Sequence, residues 1–503
     1  MTLDELLALV SNQDSYRQNN TIELPANPPH LRTDSRLVKA GDIFVAVKGT
    51  VCDGHDFIDQ AVANGAKFVV TQQLAGCNGA EMVMVEDTAK TAAALAQASR
   101  GSPASKLTNL AVTGTNGKTT VTYLVRSVIQ AAGQRCGLIG TIIYDTGLKS
   151  ARAALTTPDW FLVAESQSQM LKAGSRYVII EASSHGLSQN RLAAINFKAA
   201  AFTNLADDHM DYHKTKKEYL AAKTKLFQAL SPDSVAVLNK QAPQARQIAR
   251  KTKAQILWYG IDTPADITAH IESMDATGAV FSLEYSSRRL KVTTPLLGRY
   301  NVSNHLAAAG LCLAAGFDLK TIAAGLSALQ SIPGRLEKVD WDGDFSVLID
   351  YAHTADALKN VLSTLKPLCK ASLIVVFGCG GDRDKTKRPN MARVAEQLAD
   401  FIIVTSDNPR TEKPQDIIDE IVAGFENGPA IPYANLRATS DERQATKIIQ
   451  SDRKKAIELA IKTADKNDIV LIAGKGHEDK QIMADKQLDF NDKKIAQQFL
   501  ETR

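Results

Sequence analysis

Short apolar runs alternate with stretches of helical period through most of the chain. In the first hundred residues, GDIFVAV, AKFVVT and EMVMVE predict strands, and FIDQAVANGA and TAKTAAALAQASRG predict helices that end near glycine. The segment GSPASKLTN at 101–109 is polar and contains Gly, Pro and Ser, so we expect a linker there. This alternation is typical of an αβ domain.

A second series of strands and helices begins at Leu110. NLAVT, RYVIIE, KAAAFTN and SVAVLN predict strands, and VTYLVRSVIQAAG predicts a helix that ends at Gly133. Beyond residue 255 the pattern changes towards β-alternation in HIESMDATGAVFSLEY and RRLKVTTP, before HLAAAGLCLAAGF returns to helix. After SIPGR at 331–335, the runs SVLIDYA, LIVVFGC, FIIVTSD and DIVLIAG predict a third sheet, with parallel strands. We therefore predict an α/β protein with domains at 1–106, 107–331 and 332–503.

Composition restricts the class of protein further. The chain has 503 residues and 44% hydrophobic residues, which is ample for several cores, and its net charge of +4 gives no reason to expect nucleic acid as a partner. Six cysteines without C-x-x-C pairing favour reduced thiols over disulfides or zinc. No run of about 18 apolar residues occurs, and the acidic start lacks a signal-peptide pattern. We expect no membrane insertion and a cytoplasmic location.

The stretch GTNGKTT at 114–120 lies between the strand NLAVT and the following helix. Gly114 and Gly117 allow backbone N–H groups to surround an anion at the helix N-terminus, where the helix dipole adds positive potential. Lys118 can reach the outer phosphates of a nucleotide, and the Thr119 hydroxyl can bind Mg²⁺. The usual P-loop has its first glycine where this chain has Val112, so the alternative is a glycine turn with a capping threonine. The strand and helix on either side favour the nucleotide.

Charged, oxygen-rich loops follow two of the predicted strands. Glu181 ends RYVIIE, and LADDHMDYH, with His209 and His213, follows KAAAFTN. Ligands bind at the carboxyl edge of open parallel sheets, and Mg²⁺ prefers carboxylates, water and nucleotide oxygens. We expect Glu181 and His209 at a divalent cation, and a structural role for His213.

Lys223 occupies an unusual place on the predicted helix TKKEYLAAKTKLFQAL. Tyr219, Leu220, Leu226 and Phe227 lie on its own face by helical spacing, which puts this lysine in the apolar stripe. A buried ammonium tends to lose its proton, and a neutral amine can take up CO₂ to become an anionic carbamate. The alternative is a side chain that extends along the apolar surface to water.

Thirteen collinear motifs resemble those of the Mur ligases, over essentially the full length of the chain. GTNGK followed by Ser or Thr is also the loop of folylpolyglutamate synthases, which likewise couple ATP cleavage to amide formation. Among Mur ligases, the similarity is greatest to those that add the third residue of the peptidoglycan stem peptide. The matching stretches are TDSR (33–36), GDIFVAVKG (41–49), GTNGKTT (114–120), TTPD (156–159), EASSHGL (181–187), TNLADDHMDYH (203–213), YLAAK (219–223), GRYNVSNHLAA (298–308), PGR (333–335), DYAHTADAL (350–358), FGCGGDRDKTKRP (377–389), DNPR (407–410) and GKGHED (474–479).

The resemblance implies a three-domain Mur ligase architecture. It has an N-terminal UDP-sugar-binding αβ domain, a central P-loop-type ATP-binding domain with a parallel sheet, and a C-terminal Rossmann-like domain that binds the amino acid. It also implies two Mg²⁺ sites, one held by Glu181, His209 and Lys223 as N6-carboxylysine, the other shared by Thr119. Lys118 would join Glu181, His209 and Lys223 as a catalytic residue. The residues implied at ATP are Gly114, Thr115, Asn116, Gly117, Lys118, Thr119, Thr120, Asn301, Arg335, Asp350 and His353.

The other two substrates are implied to be UDP-N-acetylmuramoyl-L-alanyl-D-glutamate and meso-2,6-diaminopimelate. The UDP-linked substrate would meet residues in the first two domains: Thr33, Ser35, Thr50, Val51, Cys52, Thr156, Thr157, Ser183, Gln189 and Arg191. Diaminopimelate would meet residues in the third domain: Arg383, Asp407, Asn408, Pro409, Arg410, Gly474 and Glu478. We expect a monomer that works on these small molecules.

Arg410 in DNPR indicates which amino acid is added. The far end of meso-diaminopimelate carries a carboxylate and an ammonium, whereas L-lysine carries an ammonium alone. A planar guanidinium can hold that carboxylate with two parallel hydrogen bonds. Without a ligand, Asp407 and Asn408 would read simply as an Asx-type turn. The predicted function is ATP-dependent addition of diaminopimelate to the D-glutamate γ-carboxyl through an acyl phosphate. An L-lysine-adding ligase and a nucleotide-dependent switch are the alternatives.

Overall fold

The computed structural model describes residues 16–17, 30–50, 52–73, 79–433 and 447–503. In these ranges, three sheets with parallel centres follow one another along the chain, together with a two-stranded hairpin. The α/β class predicted from the sequence is confirmed. The described residues contain no helix that is long and apolar enough to cross a bilayer.

The first sheet has five strands among the described residues, in the order β1-β5-β4-β3-β2, and β1 alone is antiparallel to its neighbour. Strands β3 and β4 are buried throughout, as expected for a sheet covered on both faces. The strands are β1 (Tyr16–Arg17), β2 (Leu31–Arg32), β3 (Ile43–Val45), β4 (Phe68–Thr71) and β5 (Glu81–Met84), and the helices are α1 (Ile58–Ala63) and α2 (Thr88–Ala98).

The second sheet has eleven strands within the described ranges, in the order β16-β15-β14-β13-β12-β11-β6-β10-β7-β8-β9. Its centre is parallel, and antiparallel hairpins extend both edges. The strands are β6 (Thr108–Thr113), β7 (Cys136–Ile139), β8 (Ile143–Asp145), β9 (Ser150–Arg152), β10 (Tyr177–Glu181), β11 (Phe197–Phe202), β12 (Val235–Asn239), β13 (Gln255–Ile261), β14 (Ile267–Asp275), β15 (Gly278–Tyr285) and β16 (Arg288–Thr294).

Helices cover both faces of this sheet, and the sheet separates two apolar cores. One core includes Val125 and Leu306, and the other includes Ile180 and Phe227. The helices are α3 (Lys118–Ala131), α4 (Trp160–Lys172), α5 (Ser184–Ser188), α6 (Met210–His213), α7 (Lys216–Gln228), α8 (Ala245–Ala249), α9 (Arg299–Ala314) and α10 (Leu319–Ala328).

The third sheet has seven described strands, in the order β17-β18-β23-β19-β20-β22-β21, and only β17 is antiparallel to its neighbour. The strands of this part are β17 (Glu337–Lys338), β18 (Ser346–Asp350), β19 (Leu373–Phe377), β20 (Phe401–Val404), β21 (Ile431–Pro432), β22 (Lys447–Ile449) and β23 (Ile469–Ala473), with the hairpin β24 (Lys480–Ile482) and β25 (Gln487–Asp489). The helices are α11 (Ala355–Leu365), α12 (Lys387–Leu398), α13 (Pro414–Val422), α14 (Arg453–Thr463) and α15 (Asp492–Glu501).

Strand register brings the candidate site residues to the carboxyl edges of the last two sheets. In the second sheet, Val112 pairs with Glu181, and Thr113 pairs with Phe202, so the loops after β6, β10 and β11 meet. In the third sheet, Asp350 pairs with Ala473, which precedes the GKGHED loop. Ligands of open parallel sheets bind at such edges.

Candidate active site

The loop at 114–117 curves around the N-terminus of α3 and is hydrogen-bonded to the two residues that follow β11. Asn116 N–H donates to Asn204 Oδ1 at 3.0 Å, and the Thr203 hydroxyl donates to the Asn116 carbonyl at 2.6 Å. Gly117 has φ of 90°, and a Cβ there would collide with the Asn304 side chain. Gly114 also has positive φ, and a Cβ would collide with the Thr203 hydroxyl. Both glycines are therefore required by the close packing of the loop.

Lys118 folds back over this loop. Its Nζ donates to the carbonyls of Gly114 and Thr115 at 3.0 and 2.8 Å. Burial lowers the pKa of Lys118, while the nearby Glu181 carboxylate opposes that shift. The Thr115 hydroxyl lies 3.1 Å from the Tyr219 hydroxyl, which fixes the loop to α7.

Glu181 is fully buried at the end of β10 and accepts hydrogen bonds only from neutral donors among the described residues. The Thr119 hydroxyl donates to its Oε2 at 3.1 Å. Thr141 donates to the same carboxylate twice, from its hydroxyl and its backbone N–H, both at 2.9 Å. The structure thus brings together two of the residues predicted to bind metal, Thr119 and Glu181.

Lys223 is 1% exposed, so its side chain does not extend to water. Its Nζ donates to the Gly114 carbonyl at 2.8 Å and lies 4.3 Å from the centre of the Tyr219 ring. Burial, reinforced by repulsion from Lys118, lowers the pKa of Lys223 well below its ordinary value. The amine is therefore poised to be neutral, as carbamate formation requires.

His209 precedes α6 in a left-handed conformation, with φ of 58°. Its ring lies 4.9 Å from that of His185, and its Nε2 is 3.3 Å from Asp208 Oδ2. Burial lowers the pKa of His209 to about 3, against the opposing effect of Asp208, so the ring is neutral at physiological pH. His213 is buried between the aromatic rings of Tyr212 and Tyr219, in line with the structural role predicted for it.

A cavity of about 560 Å³ opens between the second and third sheets beside the phosphate loop. Residues of the second and third domains that were predicted to bind ATP line this cavity: Asn116, Gly117, Thr120, Asn301, Arg335 and Asp350. The hydrogen bonds of Lys118 and Thr119 place the rest of the predicted loop residues behind that surface. These residues are Gly114, Thr115, Lys118 and Thr119. Asn304, which the sequence reasoning missed, also lines the cavity and donates to Asn301 Oδ1 at 3.0 Å.

Two contacts join the third domain to the phosphate loop. Asn116 Nδ2 donates to Asp356 Oδ2 at 2.9 Å, and Arg335 Nη2 donates to the Thr119 hydroxyl at 3.1 Å. Asp350, whose pKa is raised by burial, accepts from the backbone N–H groups of Leu336 and Ala352 at 2.7 Å each.

His353 does not line the nucleotide cavity. Its Nδ1 lies 2.8 Å from the Tyr351 carbonyl, and burial lowers its pKa. The charges of Asp208 and Arg335 influence that pKa, so His353 lies in the same charged region as the loop.

A larger cavity, of about 800 Å³, lies between the first sheet and α5 and α6. Five residues predicted to bind the UDP-linked substrate line it: Thr33, Ser35, Thr50, Cys52 and Gln189. Val51, predicted at the same site, lies outside the described residues. Ser35 is oriented by its hydrogen bond to Gln60 Oε1 at 2.7 Å.

A third cavity, of about 520 Å³, unites residues of the second and third domains. Its wall includes the predicted substrate residues of the second domain, Thr156, Thr157, Ser183, Gln189 and Arg191, together with His209, Arg383 and Glu478. Arg191 donates to the Thr157 carbonyl at 2.6 Å and to Gln189 Oε1 at 2.7 Å, so these hydrogen bonds hold the three residues together on the cavity wall. Gln189 lines both this cavity and the larger one, which makes the two adjacent.

The DNPR loop lies behind the third cavity rather than on its wall. Arg410 is half-buried with φ of 54°, and its Nη1 donates to the Gly381 carbonyl at 2.7 Å. Burial, with repulsion from Arg383, lowers the pKa of Arg410. The Pro409 carbonyl accepts from Glu412 N–H at 3.1 Å. Asp407 packs against Gly474, where a Cβ would lie 2.6 Å from its Oδ2.

The residues of the third cavity that were not selected from the sequence include Thr141, Arg152, Tyr351 and His477. Arg152 forms an ion pair with Asp479 across the domains. Burial lowers the pKa of His477 to about 3. Lys475 was not predicted as a site residue either, although it is the second residue of the GKGHED motif.

Three family models match successive parts of the chain. They are the Mur ligase family catalytic domain at 30–102, the Mur ligase middle domain at 112–312 and the Mur ligase glutamate ligase domain at 334–476. The chain belongs to the Mur ligase family. This confirms the resemblance seen in the motifs and the architecture that it implied; the domain limits at 106 and 331 stay predictions.

Curated relatives of this Mur ligase span nearly its whole length. A protein of Geobacillus thermodenitrificans is 41% identical over 94% of this chain and 95% of its own length. One of Halalkalibacterium halodurans is 39% identical over 99% of this chain and 100% of its own. Both are named UDP-N-acetylmuramoyl-L-alanyl-D-glutamate--2,6-diaminopimelate ligase.

Solved structures agree. A ligase of that same name matches with a TM-score of 0.66 and 30% identity over 100% of this chain and 99% of its own. Folylpolyglutamate synthase of Mycobacterium tuberculosis matches with a TM-score of 0.62 and 19% identity over 76% of this chain and 92% of its own, which shows a common fold.

Proposed function

We propose that this Mur ligase uses ATP to join meso-2,6-diaminopimelate to the D-glutamate γ-carboxyl of UDP-N-acetylmuramoyl-L-alanyl-D-glutamate, in peptidoglycan synthesis. The observation that carries the proposal is the third cavity, where Thr157 and Arg191 of the second domain face Arg383 and Glu478 of the third. The names of the full-length relatives confirm the ligase function predicted from the sequence.

In the first step the γ-carboxylate attacks the γ-phosphate of ATP, giving an acyl phosphate and ADP. The loop at 114–117 supplies backbone N–H groups at the N-terminus of α3. Lys118 exchanges its bonds to the Gly114 and Thr115 carbonyls for phosphate oxygens and stabilises the transferring group. Because that ammonium is buried, its interaction with phosphate is stronger than it would be in water.

The donor set beside this loop fits Mg²⁺. The Glu181 carboxylate is buried, accepts only from hydroxyl and amide donors of the described residues, and lies next to the Thr119 hydroxyl, so oxygen ligands for two neighbouring ions lie side by side. A bound Mg²⁺ would supply charge stabilisation for phosphoryl transfer. We assign Thr119 to one ion and Glu181, with His209 and Lys223, to a second.

Lys223 would serve that second ion as a carbamate. Its amine has a lowered pKa and lies against the Gly114 carbonyl, at the base of the phosphate loop. Reaction of the neutral amine with CO₂ forms an N–C bond and releases one proton, leaving an anion where the unmodified side chain has none.

In the second step the diaminopimelate amine attacks the acyl phosphate, and a tetrahedral intermediate collapses to the amide and phosphate. Arg410 would hold the far carboxylate after its Nη1 exchanges the Gly381 carbonyl for the substrate. Arg383, which lines the cavity, would be a second contact, with Asn408 as the neighbour of Arg410 in the loop. Glu478 and the backbone at Gly474 would hold the far ammonium, with Asp407 behind them. Closure of the third domain over the second would keep water from the acyl phosphate.

An assay of phosphate release from ATP tests the proposal. The purified chain is supplied with the UDP-linked dipeptide and meso-diaminopimelate, L-lysine or no amino acid. We expect rapid turnover and tripeptide product only with diaminopimelate. Phosphate release that is independent of the amino acid would favour a nucleotide switch, and equal use of L-lysine would contradict the specificity.

The variant Arg410→Lys sharpens this test because it keeps the positive charge but removes the paired hydrogen bonds. We expect the KM for diaminopimelate to rise about tenfold to hundredfold. The control is Arg393→Lys, an exposed arginine paired with Glu426 in the same domain. An unchanged KM in Arg410→Lys would remove Arg410 from the site.

We further propose that the chain acts as a monomer in the cytoplasm. Every substrate residue named above belongs to this chain itself, and ATP and UDP-sugars are cytoplasmic metabolites. Analytical ultracentrifugation at assay concentration tests the oligomeric state.

A further inference from the structure

Lys475 is 0% exposed, directly after the strand β23 and Gly474. Its Nζ donates to Asn408 Oδ1 at 2.9 Å, Glu478 Oε2 at 2.9 Å and the Lys480 carbonyl at 2.7 Å. An ammonium has three N–H groups, so all of them are used within the protein. Lys475 therefore cannot contact a substrate in this arrangement.

These bonds determine how Asn408 is oriented. Lys475 can only donate, so Asn408 must turn its oxygen towards the ammonium and its amide nitrogen the other way. The oxygen also accepts from Ile482 N–H at 2.9 Å, and Nδ2 donates to Glu478 Oε2 at 2.7 Å. The amide of the DNPR loop is thus locked between the ammonium and Glu478.

Glu478 is fixed by the same pair of donors. Its Oε2 accepts from both Lys475 and Asn408, whereas its Oε1 accepts no hydrogen bond from the described residues. Glu478 lines the third cavity, so a ligand cation can approach this carboxylate. Lys475 also lies 3.9 Å from Asp407 and offsets part of the charge of the two carboxylates.

We propose that Lys475 is a positioning residue that sets the acceptor specificity of this ligase. It holds Glu478 in the orientation that receives the far ammonium of diaminopimelate, and it offsets negative charge that would otherwise repel the adjacent carboxylate of that substrate. The inference rests on the proposed function, because it assigns a task within the same amino-acid site.

The test is Lys475→Met, which keeps length and bulk but removes the charge and the three donors. We expect the KM for meso-diaminopimelate to rise about tenfold to hundredfold, since hydrogen bonds to charged groups are lost. The ratio of kcat/KM for diaminopimelate over L-lysine falls, because L-lysine has no far carboxylate to repel. The KM values for ATP and the UDP-linked dipeptide stay unchanged.

Lys447→Met is the matched control. Lys447 is also a buried lysine of the third domain, paired with Glu396 at 2.5 Å, but it lines none of the three cavities. The variant Lys447→Met should lower thermal stability without changing the ratio of kcat/KM for diaminopimelate over L-lysine. If Lys475→Met does not fold, Lys475→Gln, which retains a donor, takes its place.

A double-mutant cycle with Glu478→Gln decides whether Lys475 acts through Glu478. We expect the double variant to bind diaminopimelate no worse than Glu478→Gln alone. Additive losses, or equal losses for all three substrates, would overturn the inference. Wild-type enzyme that fails to add diaminopimelate would instead overturn the proposed function.

Discussion

At Lys223 the chain buries an amine that forms no ion pair with any described residue and donates to a single backbone carbonyl. Burial of an ammonium under these conditions is costly, and a structural lysine would be replaced by leucine or methionine without loss. A neutral amine at this position, with its lowered pKa, supports the proposal that Lys223 is converted into a carbamate. A carbamate would supply a negative charge next to the phosphate loop, where a cation is needed.

We therefore expect Lys223→Ala to lower kcat about hundredfold or more, because a charged metal ligand is lost. Added short carboxylic acids, such as acetate, should restore part of the activity by occupying the space of the carbamate. The assay is phosphate release with all three substrates. Lys225→Ala, two residues along the helix and exposed, is the control and should retain full activity. Failure of every acid, in a variant that keeps its fold, would count against the carbamate.

Individual residues also show what the sequence could and could not predict. The apolar stripe around Lys223 indicated an unusual lysine, because Tyr219 and Phe227 lie one turn away on the same helix, but it left extension of the side chain to water as an alternative to burial. The role of Lys475 depends on Asn408, 67 residues earlier, and that of Thr141 depends on Glu181, 40 residues later. No local pattern records such contacts, and only the fold brings these residues together.

Helix α3 offers a comparison between its two ends. Gly117 at the start and Gly133 after the end both have positive φ, of 90° and 69°. A Cβ on Gly117 would meet Asn304, whereas a Cβ on Gly133 meets nothing within 4 Å. An alanine at either position would therefore have an unfavourable left-handed backbone, but only an alanine at 117 would also collide with a neighbouring side chain.

From this difference we expect Gly117→Ala to weaken ATP binding, with the Kd for an ATP analogue raised about tenfold or more. Gly133→Ala should lower only the stability of the fold, by about 1–2 kcal/mol. Isothermal titration with a non-hydrolysable ATP analogue and thermal unfolding measure the two effects. Equal ATP affinity in the two variants would show that the phosphate loop does not form this site.

At the element scale, Glu412 fastens α12 to the loop that follows DNPR. Its two oxygens accept from Arg388 at 2.8 and 2.9 Å, and Asp382 N–H donates to it at 2.6 Å. The hydrogen bond from Arg388 is the main reason that the pKa of Glu412 falls from 4.5 to about 2, against the effect of burial. A lowered carboxyl pKa in the folded state stabilises the protein above the unfolded pKa.

That stabilisation should be lost as the pH falls from about 4.5 to about 2. We therefore predict that Glu412→Gln is less stable than wild type at pH 7 and that the difference shrinks over this acid range. Urea unfolding at a series of pH values measures it. Glu426→Gln removes an exposed ion pair with Arg393 and should leave the acid profile unchanged. A constant difference between Glu412→Gln and wild type at all pH values would refute the assignment.

Predictability also differed between elements. Runs such as NLAVT and LIVVFGC predicted buried parallel strands, because strands covered on both faces are apolar throughout. The strand β7 was not predicted, and β13 was predicted only as part of a region of β-alternation beyond residue 255, without its own bounds. β7 is only four residues long and contains Gly137, and β13 exposes its first two residues, so pairing with neighbours decides both.

Across the whole molecule, we expect the reaction to require the third domain to approach the ATP site and to leave it again. The contacts of Asp356 with Asn116 and of Arg335 with Thr119 join the domains next to the phosphates. Burial raises the pKa of Asp356, so this carboxylate is held in the interface at some electrostatic cost. We expect a hinge near residue 331, between α10 and β17, to carry the movement.

Small-angle scattering of wild type, with and without an ATP analogue and the UDP-linked dipeptide, should show a smaller radius of gyration when both ligands are present. Asp356→Ala removes a hydrogen bond to a charged group, and such bonds contribute about 1.5–3 kcal/mol, enough to shift a two-state equilibrium tenfold or more. The ligand-free variant should therefore scatter as a more extended particle than ligand-free wild type. Asp416→Ala, at an exposed position in the first turn of α13, is the control and should scatter like wild type. If ligands leave the wild-type envelope unchanged, and Asp356→Ala matches it, the domains do not move as proposed and water must be excluded from the acyl phosphate by local loops alone.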